Sequence, residues 1–212
     1  MSPIPAPPGQ VQVNVVLVHA DGSKGPAADA IAWLPGAVIS DPSQHKAPAT
    51  IGQRQKAFDP HVEVVAAGSE VSFPNFDRIY HNVFSLSELA RFDLGLYRNG
   101  ASRSVTFAKP GVVRIYCNIH PTMSAFLVVV AGNAYAKTGA DGVALLPQVT
   151  PGAYRLSVWH ERGGERELDV VVKPGAVTPV DVSLDASRWR SEPHKNKYGK
   201  DYPPPDDDQT RY

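Results

Sequence analysis

The sequence predicts an all-β protein built from two units, and three observations support this prediction. The chain of 212 residues is 42% hydrophobic and 20% charged, an ordinary globular composition with enough length for two small domains. Its 20 Pro and 17 Gly are spread along the sequence and separate short Val-rich segments. Such segments are typical of strands joined by turns, so long helices are not expected.

The N-terminal residues predict a leader followed by the first strands of one unit. Residues 1–9 are rich in proline, which favours an extended leader because proline fixes φ and lacks an amide donor. Val11, Val13, Val15 and Leu17 occupy every second position of residues 11–17, and this alternation predicts a strand. Residues 30–34 predict a second strand. The small and polar residues 37–50 predict a connection between units.

Six further strands are predicted between residues 50 and 131, where β-type segments recur between turn residues. They are Val62–Val65, Glu70–Phe73, His81–Ser85, Ser104–Phe107, Val112–Cys117 and Ala125–Val130. Residues 85–99 have mixed periodicity and are compatible with a short helix or an irregular loop. This region is therefore expected to form a β-rich unit of its own.

The C-terminal part predicts a second set of strands and then a polar tail. Turns at Asp141-Gly142 and Pro151-Gly152 flank segments of alternating polarity, and the last strand is expected to end near Leu184. Residues 186–212 are polar, and three prolines near their end are followed by three aspartates. We expect this tail to be disordered or extended, with packing over the rest of the protein as the alternative.

One turn between two predicted strands carries three metal-binding side chains. Cys117, His120 and Met123 follow one another at three-residue steps, and His81 lies on an earlier strand that pairing can bring beside them. Copper that cycles between Cu(I) and Cu(II) suits a thiolate and two imidazoles in one plane with a weak axial thioether. The sequence therefore predicts one mononuclear copper ion held by these four residues.

Zinc and a site without metal are the competing interpretations. A structural zinc site needs four strong donors, and the thioether of Met123 would be a poor fourth. Each of these residue types is also common in cores without any metal. The single Cys excludes an internal disulfide and argues against a dinuclear copper centre. No partner spacing predicts a second site at the remaining histidines, which are His19, His45, His61, His160 and His194.

The region from about residue 53 to 130 resembles the cupredoxins, particularly plastocyanin and amicyanin. The resemblance is carried by Phe73 and Asn75, by His81-Asn82-Val83, by Pro110-Gly111 and by the Cys-x-x-His-x-x-Met motif. The short spacing of that motif is more similar to amicyanin. The resemblance implies a Greek-key β-barrel over residues 50–131 with one type 1, or blue, copper.

The cupredoxin resemblance also implies roles for residues around the metal. Asn82 and Asn75 would support the metal site without binding the metal themselves. Asn82 would hold the ligand loop through backbone hydrogen bonds and tune the Cys117 sulfur. His120 would lie at the surface, and Ile119, Pro121 and Thr122 would frame a docking face for redox partners.

Residues 133–184 resemble the carboxypeptidase regulatory-like modules, a transthyretin-type or immunoglobulin-like β-sandwich. The segments that carry this resemblance are 137–142 and 151–156. The family's first strands match residues 10–36, so the cupredoxin unit is expected to be inserted between residues 10–36 and 132–185. Three consecutive units, or extra strands on the barrel, are the alternatives.

The order of these modules resembles bacterial proteins described as methylamine-utilisation or plastocyanin-like. That resemblance implies export to the periplasm, with a signal peptide removed or replaced before Ser2. The expected function is electron transfer, without enzymatic activity, to transient redox partners such as a cytochrome or a dehydrogenase. Copper buffering or delivery, and a metal-stabilised scaffold whose tail binds a partner, are the alternatives.

Two classes of partner are not expected. Lys plus Arg and Asp plus Glu both total 21, so the whole chain has no field that favours nucleic acid. No segment approaches the roughly 18 to 20 apolar residues that a membrane span requires.

Overall fold

The computed structural model describes residues 6–37, 39, 49–191 and 193–202. All regular structure within these ranges is β, which confirms the predicted fold class. The part of the chain described contains no helix that is long and apolar enough to span a membrane.

The described strands are numbered here in chain order. They are β1 (Gly9–Val18), β2 (Lys24–Pro26), β3 (Ile31–Trp33), β4 (Ala49–Thr50), β5 (Gly52–Arg54), β6 (Ala57–Asp59), β7 (Val62–Ala66), β8 (Ser69–Pro74), β9 (His81–Ser85), β10 (Phe92–Tyr97), β11 (Ser102–Phe107), β12 (Gly111–Cys117), β13 (Ser124–Val130), β14 (Tyr135–Lys137), β15 (Val143–Val149), β16 (Gly152–His160), β17 (Gly164–Val172) and β18 (Val177–Asp185).

The chain divides into two compact units. Unit 1 comprises residues 1–46 and 130–190, and unit 2 comprises residues 47–129 and 191–212. The main segment of unit 2 therefore lies, in the sequence, between the two segments of unit 1. The described C-terminal residues, 193–202, belong to unit 2.

Unit 1 has two sheets that share one core. One sheet has the order β15-β1-β18, with β2 also paired to β1, and the other has the order β14-β3-β16-β17. Strand β1 is antiparallel to β15 and parallel to β18. Its buried side chains alternate with half-buried ones, as a period of two requires, and they join a cluster with side chains of both sheets.

A buried hydroxyl connects two segments of unit 1. The Thr138 hydroxyl, in a side chain only 3% exposed, accepts a hydrogen bond from the Ala30 amide at 2.8 Å and donates to the Ala27 carbonyl at 2.5 Å. The two backbone groups have little access to water, so this side chain satisfies polar atoms that burial would otherwise leave unpaired.

Unit 2 has a five-stranded sheet, a three-stranded sheet and a hairpin. The larger sheet has the order β10-β9-β12-β13-β7, the smaller has the order β11-β8-β4, and β5 pairs with β6. Along β12, Val113, Ile115 and Cys117 are fully buried, whereas Arg114 between them is exposed. This alternation directs the Cys117 side chain into a cluster of buried apolar residues that also contains Met123.

Residues 85–99 contain strand β10 rather than the helix or irregular loop expected from their periodicity. Phe92 pairs with Ser85 and Tyr97 pairs with His81, but the register shifts between Asp93 and Leu96. Gly95 lies at this irregularity with a φ of 66°. A bulge interrupts the alternation of side chains, so the sequence pattern could not show the period of a strand.

The Thr138 hydrogen bonds lead to a prediction about unit 1. Replacing Thr138→Val keeps the side-chain volume but leaves the Ala30 amide and the Ala27 carbonyl unpaired, which should lower the free energy of unfolding by about 1–3 kcal/mol. Urea denaturation measures this change. The control is Thr178→Val, because that exposed hydroxyl makes a single long hydrogen bond of 3.4 Å; equal effects of the two variants would contradict the prediction.

Candidate metal centre

Three side chains of unit 2 converge at one point. The Cys117 sulfur lies 3.8 Å from Nδ1 of His81 and 3.6 Å from Nδ1 of His120. The three donor atoms all lie within 4.8 Å of one another, and the imidazole ring centroids are 4.9 Å apart. His81 and Cys117 are completely buried, and His120 is half-buried. These residues form a compact sulfur and nitrogen donor set that could hold a metal ion.

Strand pairing places two of these residues side by side. Strands β9 and β12 are antiparallel, and Cys117 pairs with Val83. His81 lies two residues before Val83 and so projects from the same face of the sheet. The first histidine is thus fixed by the sheet rather than by a loop.

Backbone hydrogen bonds close the loop that supplies the other ligand. The amide of Cys117 donates to the Met123 carbonyl at 3.1 Å, and the amide of Met123 donates to the His120 carbonyl at 3.0 Å. These bonds join the end of β12 to the start of β13 and turn His120 back toward Cys117. Met123 is only 1% exposed, so its thioether is on the core side of the loop.

The distances between donors fit a single metal ion. With bonds of about 2.0 Å to nitrogen and about 2.3 Å to sulfur, roughly 120° apart, one ion separates its two donors by about 3.7 Å. The two sulfur to nitrogen distances are 3.8 and 3.6 Å. One thiolate with two imidazoles is a donor set that suits copper.

A carboxylate orients the first histidine. Nε2 of His81 lies 2.8 Å from Oδ2 of Asp77, so the carboxylate accepts the Nε2 hydrogen and leaves the Nδ1 lone pair facing Cys117. Burial alone would raise the pKa of Asp77, but hydrogen bonds from the Lys56 amide, the His81 ring and the Gln55 amide hold it below its usual value. Asp77 therefore stays ionised beside the imidazole.

The sequence interpretation missed Asp77, although it selected the residue that positions it. The Asn75 side chain is fully buried, and its Oδ1 accepts the amide of Asp77 at 2.9 Å. Its Nδ2 donates to the carbonyls of Ile79 and Tyr97 at 2.9 and 3.0 Å. A carboxylate four residues before a candidate His ligand was the available signal, because ligating imidazoles commonly donate to carboxylates.

Asn82 is placed differently from the role implied by the cupredoxin resemblance. Its Nδ2 donates to Oδ1 of Asp93 at 2.6 Å, and its buried Oδ1 has no hydrogen-bond partner among the described residues. Among the described residues, the Asn82 side chain makes no hydrogen bond to the backbone of the ligand loop. The contact with Asp93 instead joins β9 to its neighbour β10.

The loop residues expected to frame a docking face are exposed. Ile119 is 38% exposed, and Pro121 and Thr122 are exposed as well. His120 lies between them, and burial together with the nearby His81 and Lys56 lowers its pKa to about 4. Its ring is therefore neutral and able to bind a metal at physiological pH.

Comparisons with known proteins identify only partial similarities. No protein-family model and no curated protein matches the chain. A copper-containing nitrite reductase from Thermus scotoductus is 25% identical over 40% of this chain and 23% of its own length, with a TM-score of 0.38. An amicyanin variant with Cu(I) is 19% identical over 46% of this chain and 97% of its own, with a TM-score of 0.37.

A purple cupredoxin from Nitrosopumilus maritimus is a further similar structure. It is 21% identical over 39% of this chain and 99% of its own length, with a TM-score of 0.36. The chain thus spans about a quarter of the nitrite reductase and nearly all of the two smaller proteins.

The lowered pKa of His120 predicts a pH dependence for the metal-free protein. Between pH 6.5 and about 4 the unfolded chain binds a proton at this ring and the folded protein does not, so stability should fall as the pH falls through this window. Urea denaturation at pH 7 and pH 5 measures the loss. His120→Gln removes the titrating ring and should show a smaller loss; an equal loss in both proteins would exclude His120 as its source.

Proposed function

We propose that this protein is a mononuclear blue copper protein that carries electrons. The single observation that carries the proposal is the convergence of the Cys117 sulfur with one ring nitrogen each of His81 and His120, all within 4.8 Å of one another. His81, Cys117, His120 and Met123 would hold the ion, and the thioether of Met123 would be the weakest of the four donors. Bound copper would supply one-electron chemistry by cycling between Cu(I) and Cu(II).

The surroundings of the donors support electron transfer rather than catalysis. Cys117 and His81 are fully buried within the sheet and Met123 is nearly so, which excludes water and holds the donors in one arrangement. Asp77 fixes the orientation of His81 from the opposite side of the ring. The half-buried His120, beside the exposed Ile119, is the ligand nearest to solvent and would give electrons a short path to a docked partner.

We also propose a domain assignment for each unit, a cellular location and a class of partner. We assign unit 2 as a cupredoxin domain inserted into a transthyretin-type sandwich, unit 1, and the division of the chain into two units supports this assignment. Export to the periplasm and transient partners such as a cytochrome or a dehydrogenase are part of the same proposal. They are supported by the sequence resemblance to cupredoxins and to methylamine-utilisation-type proteins.

Copper titration tests the proposed function directly. Metal-free protein titrated with Cu(II) should develop an intense thiolate-to-copper band in the visible spectrum and a paramagnetic resonance signal with narrow hyperfine splitting. Cys117→Ser should abolish the band because the hydroxyl cannot replace the thiolate as donor. The matched control is His19→Gln, a histidine of unit 1, which should leave both signals unchanged. Copper binding without that band in the unaltered protein would refute the proposal.

The Asp77 contact predicts a second effect on copper. Asp77→Asn removes the charge that stabilises the oriented imidazole, so affinity for Cu(II) should fall by about 10-fold to 100-fold. Competition with a chromophoric chelator measures this affinity. Glu70→Gln removes an exposed carboxylate of the same unit and should leave the affinity within twofold of the unaltered value. The same affinity in both variants would show that Asp77 has no influence on the site.

A further inference from the structure

The C-terminal residues 193–202 lie against the end of β12. The Tyr202 hydroxyl donates to the Cys117 carbonyl at 2.9 Å, and the Lys197 amide donates to Oδ1 of Asn118 at 2.9 Å. The His194 ring is stacked on Tyr116, with centroids 4.3 Å apart and planes 19° from parallel. Three consecutive residues, the last two of β12 and the first of the ligand loop, thus contact this segment, which we call the C-terminal clasp.

An ion pair fixes the clasp to a neighbouring strand. Nζ of Lys197 lies 2.8 Å from Oδ2 of Asp93, whose other oxygen accepts the Asn82 amide group. Burial would raise the pKa of Asp93, but hydrogen bonds from Lys197, Asn82 and the Gly95 amide keep it below its usual value. The clasp therefore contacts the site at two points. It bonds to Cys117 directly, and through Asp93 it is connected to Asn82, the residue after His81.

The clasp also has internal structure. The Asn196 amide donates to the Lys200 carbonyl, and the Gly199 amide donates to the Asn196 carbonyl, each at 2.8 Å. The Asn196 side chain accepts the amides of Tyr198 and Lys200, and Lys195 pairs with Asp201. A segment that is already ordered by its own hydrogen bonds loses less conformational entropy when it binds the loop.

The ligand loop has few other restraints. Ile119, Pro121 and Thr122 are exposed. The loop's own backbone bonds run from the Cys117 amide to the Met123 carbonyl and from the Met123 amide to the His120 carbonyl. Segments with few buried contacts open locally at small free-energy cost. External hydrogen bonds to Cys117 and Asn118 should therefore contribute a large part of the loop's local stability.

We propose that the C-terminal clasp is a component of the metal centre, in which Tyr202 and Lys197 are positioning residues that hold the ligand loop closed and slow the loss of the metal. This inference rests on the proposed copper function and adds to it a determinant outside the ligand motif. Burial raises the pKa of Tyr202, and the nearby Cys117 raises it further, so the hydroxyl remains a donor. A clasp that retains the ion favours a permanent redox centre over rapid copper delivery.

The test uses the full chain with Tyr202→Phe, which removes one hydroxyl and keeps the ring. In the metal-free protein, amide hydrogen exchange at Cys117 and Met123 should accelerate by about twofold to tenfold, the range expected for one hydrogen bond. In the copper-loaded protein, transfer of Cu(I) to a chelator should accelerate by the same order, and the thiolate-to-copper band should shift because Cys117 is less restrained. Lys197→Met should act in the same direction.

The matched control is Tyr198→Phe, a hydroxyl removed from a tyrosine of the same segment that is 73% exposed. This variant should leave exchange, copper release and the band unchanged. Amides in the middle of the β12–β13 ladder, such as Val113 and Leu127, should exchange at the unaltered rate in all variants, which separates loop opening from global unfolding.

Two outcomes would overturn the inference. One is equal behaviour of Tyr202→Phe and Tyr198→Phe, and the other is acceleration at Val113 and Leu127 as large as that at Cys117. The absence of a blue band in the unaltered protein would instead refute the proposed function. In that case the exchange measurements on metal-free protein still decide whether the clasp holds the loop.

Discussion

The short pairing of β9 with β12 is the contact on which the metal centre depends. It places Val83 opposite Cys117 and Phe84 opposite Tyr116, which brings the His81 ring to the sulfur. All of β9 is buried, so this pairing is stabilised from both faces of the sheet. The positions of the His81 and Cys117 donors are consequently a property of the core, whereas His120 and Met123 are placed by the loop between β12 and β13.

Buried polar side chains outside the ligand set also help to position the donors. Asn75 shapes the turn that presents Asp77, and Asp77 connects His81 to the amides of the β5–β6 turn at Gln55 and Lys56. Gln53, at the start of the same hairpin region, donates to the Tyr97 hydroxyl and to the Phe73 carbonyl. Through Asp77, the amides of Gln55 and Lys56 and the side chain of Asn75 therefore support the orientation of the His81 ring.

The sequence was informative where chemistry depends on local spacing. The Cys-x-x-His-x-x-Met motif, His81 and most strands could be predicted because ligand steps and alternating polarity are visible in a single segment. The β5–β6 hairpin was not predicted, because its turn has Gln55 and Lys56 at positive φ in place of the usual glycine or asparagine. Strand β10 was obscured by its bulge.

Polar contacts between residues far apart in the sequence could not be predicted from local sequence patterns. Asp77 is an ordinary turn residue until strand pairing brings it to His81. The C-terminal residues have no apolar periodicity, and their composition favoured a disordered tail. In the structure His194 and Tyr202 make individual contacts with the end of β12 instead, whereas residues 203–212 lie outside the described ranges.

The parallel pairing of β1 with β18 has a consequence for biosynthesis. Strand β1 can pair with β18, one of its two long partners, only after the chain has been made as far as residue 185. Because a chain emerges from the ribosome in order, residues 47–129 are complete while unit 1 still lacks β18. The ligand-bearing strands are thus able to fold before the sheet around β1 is finished, and residues 193–202 are made after both.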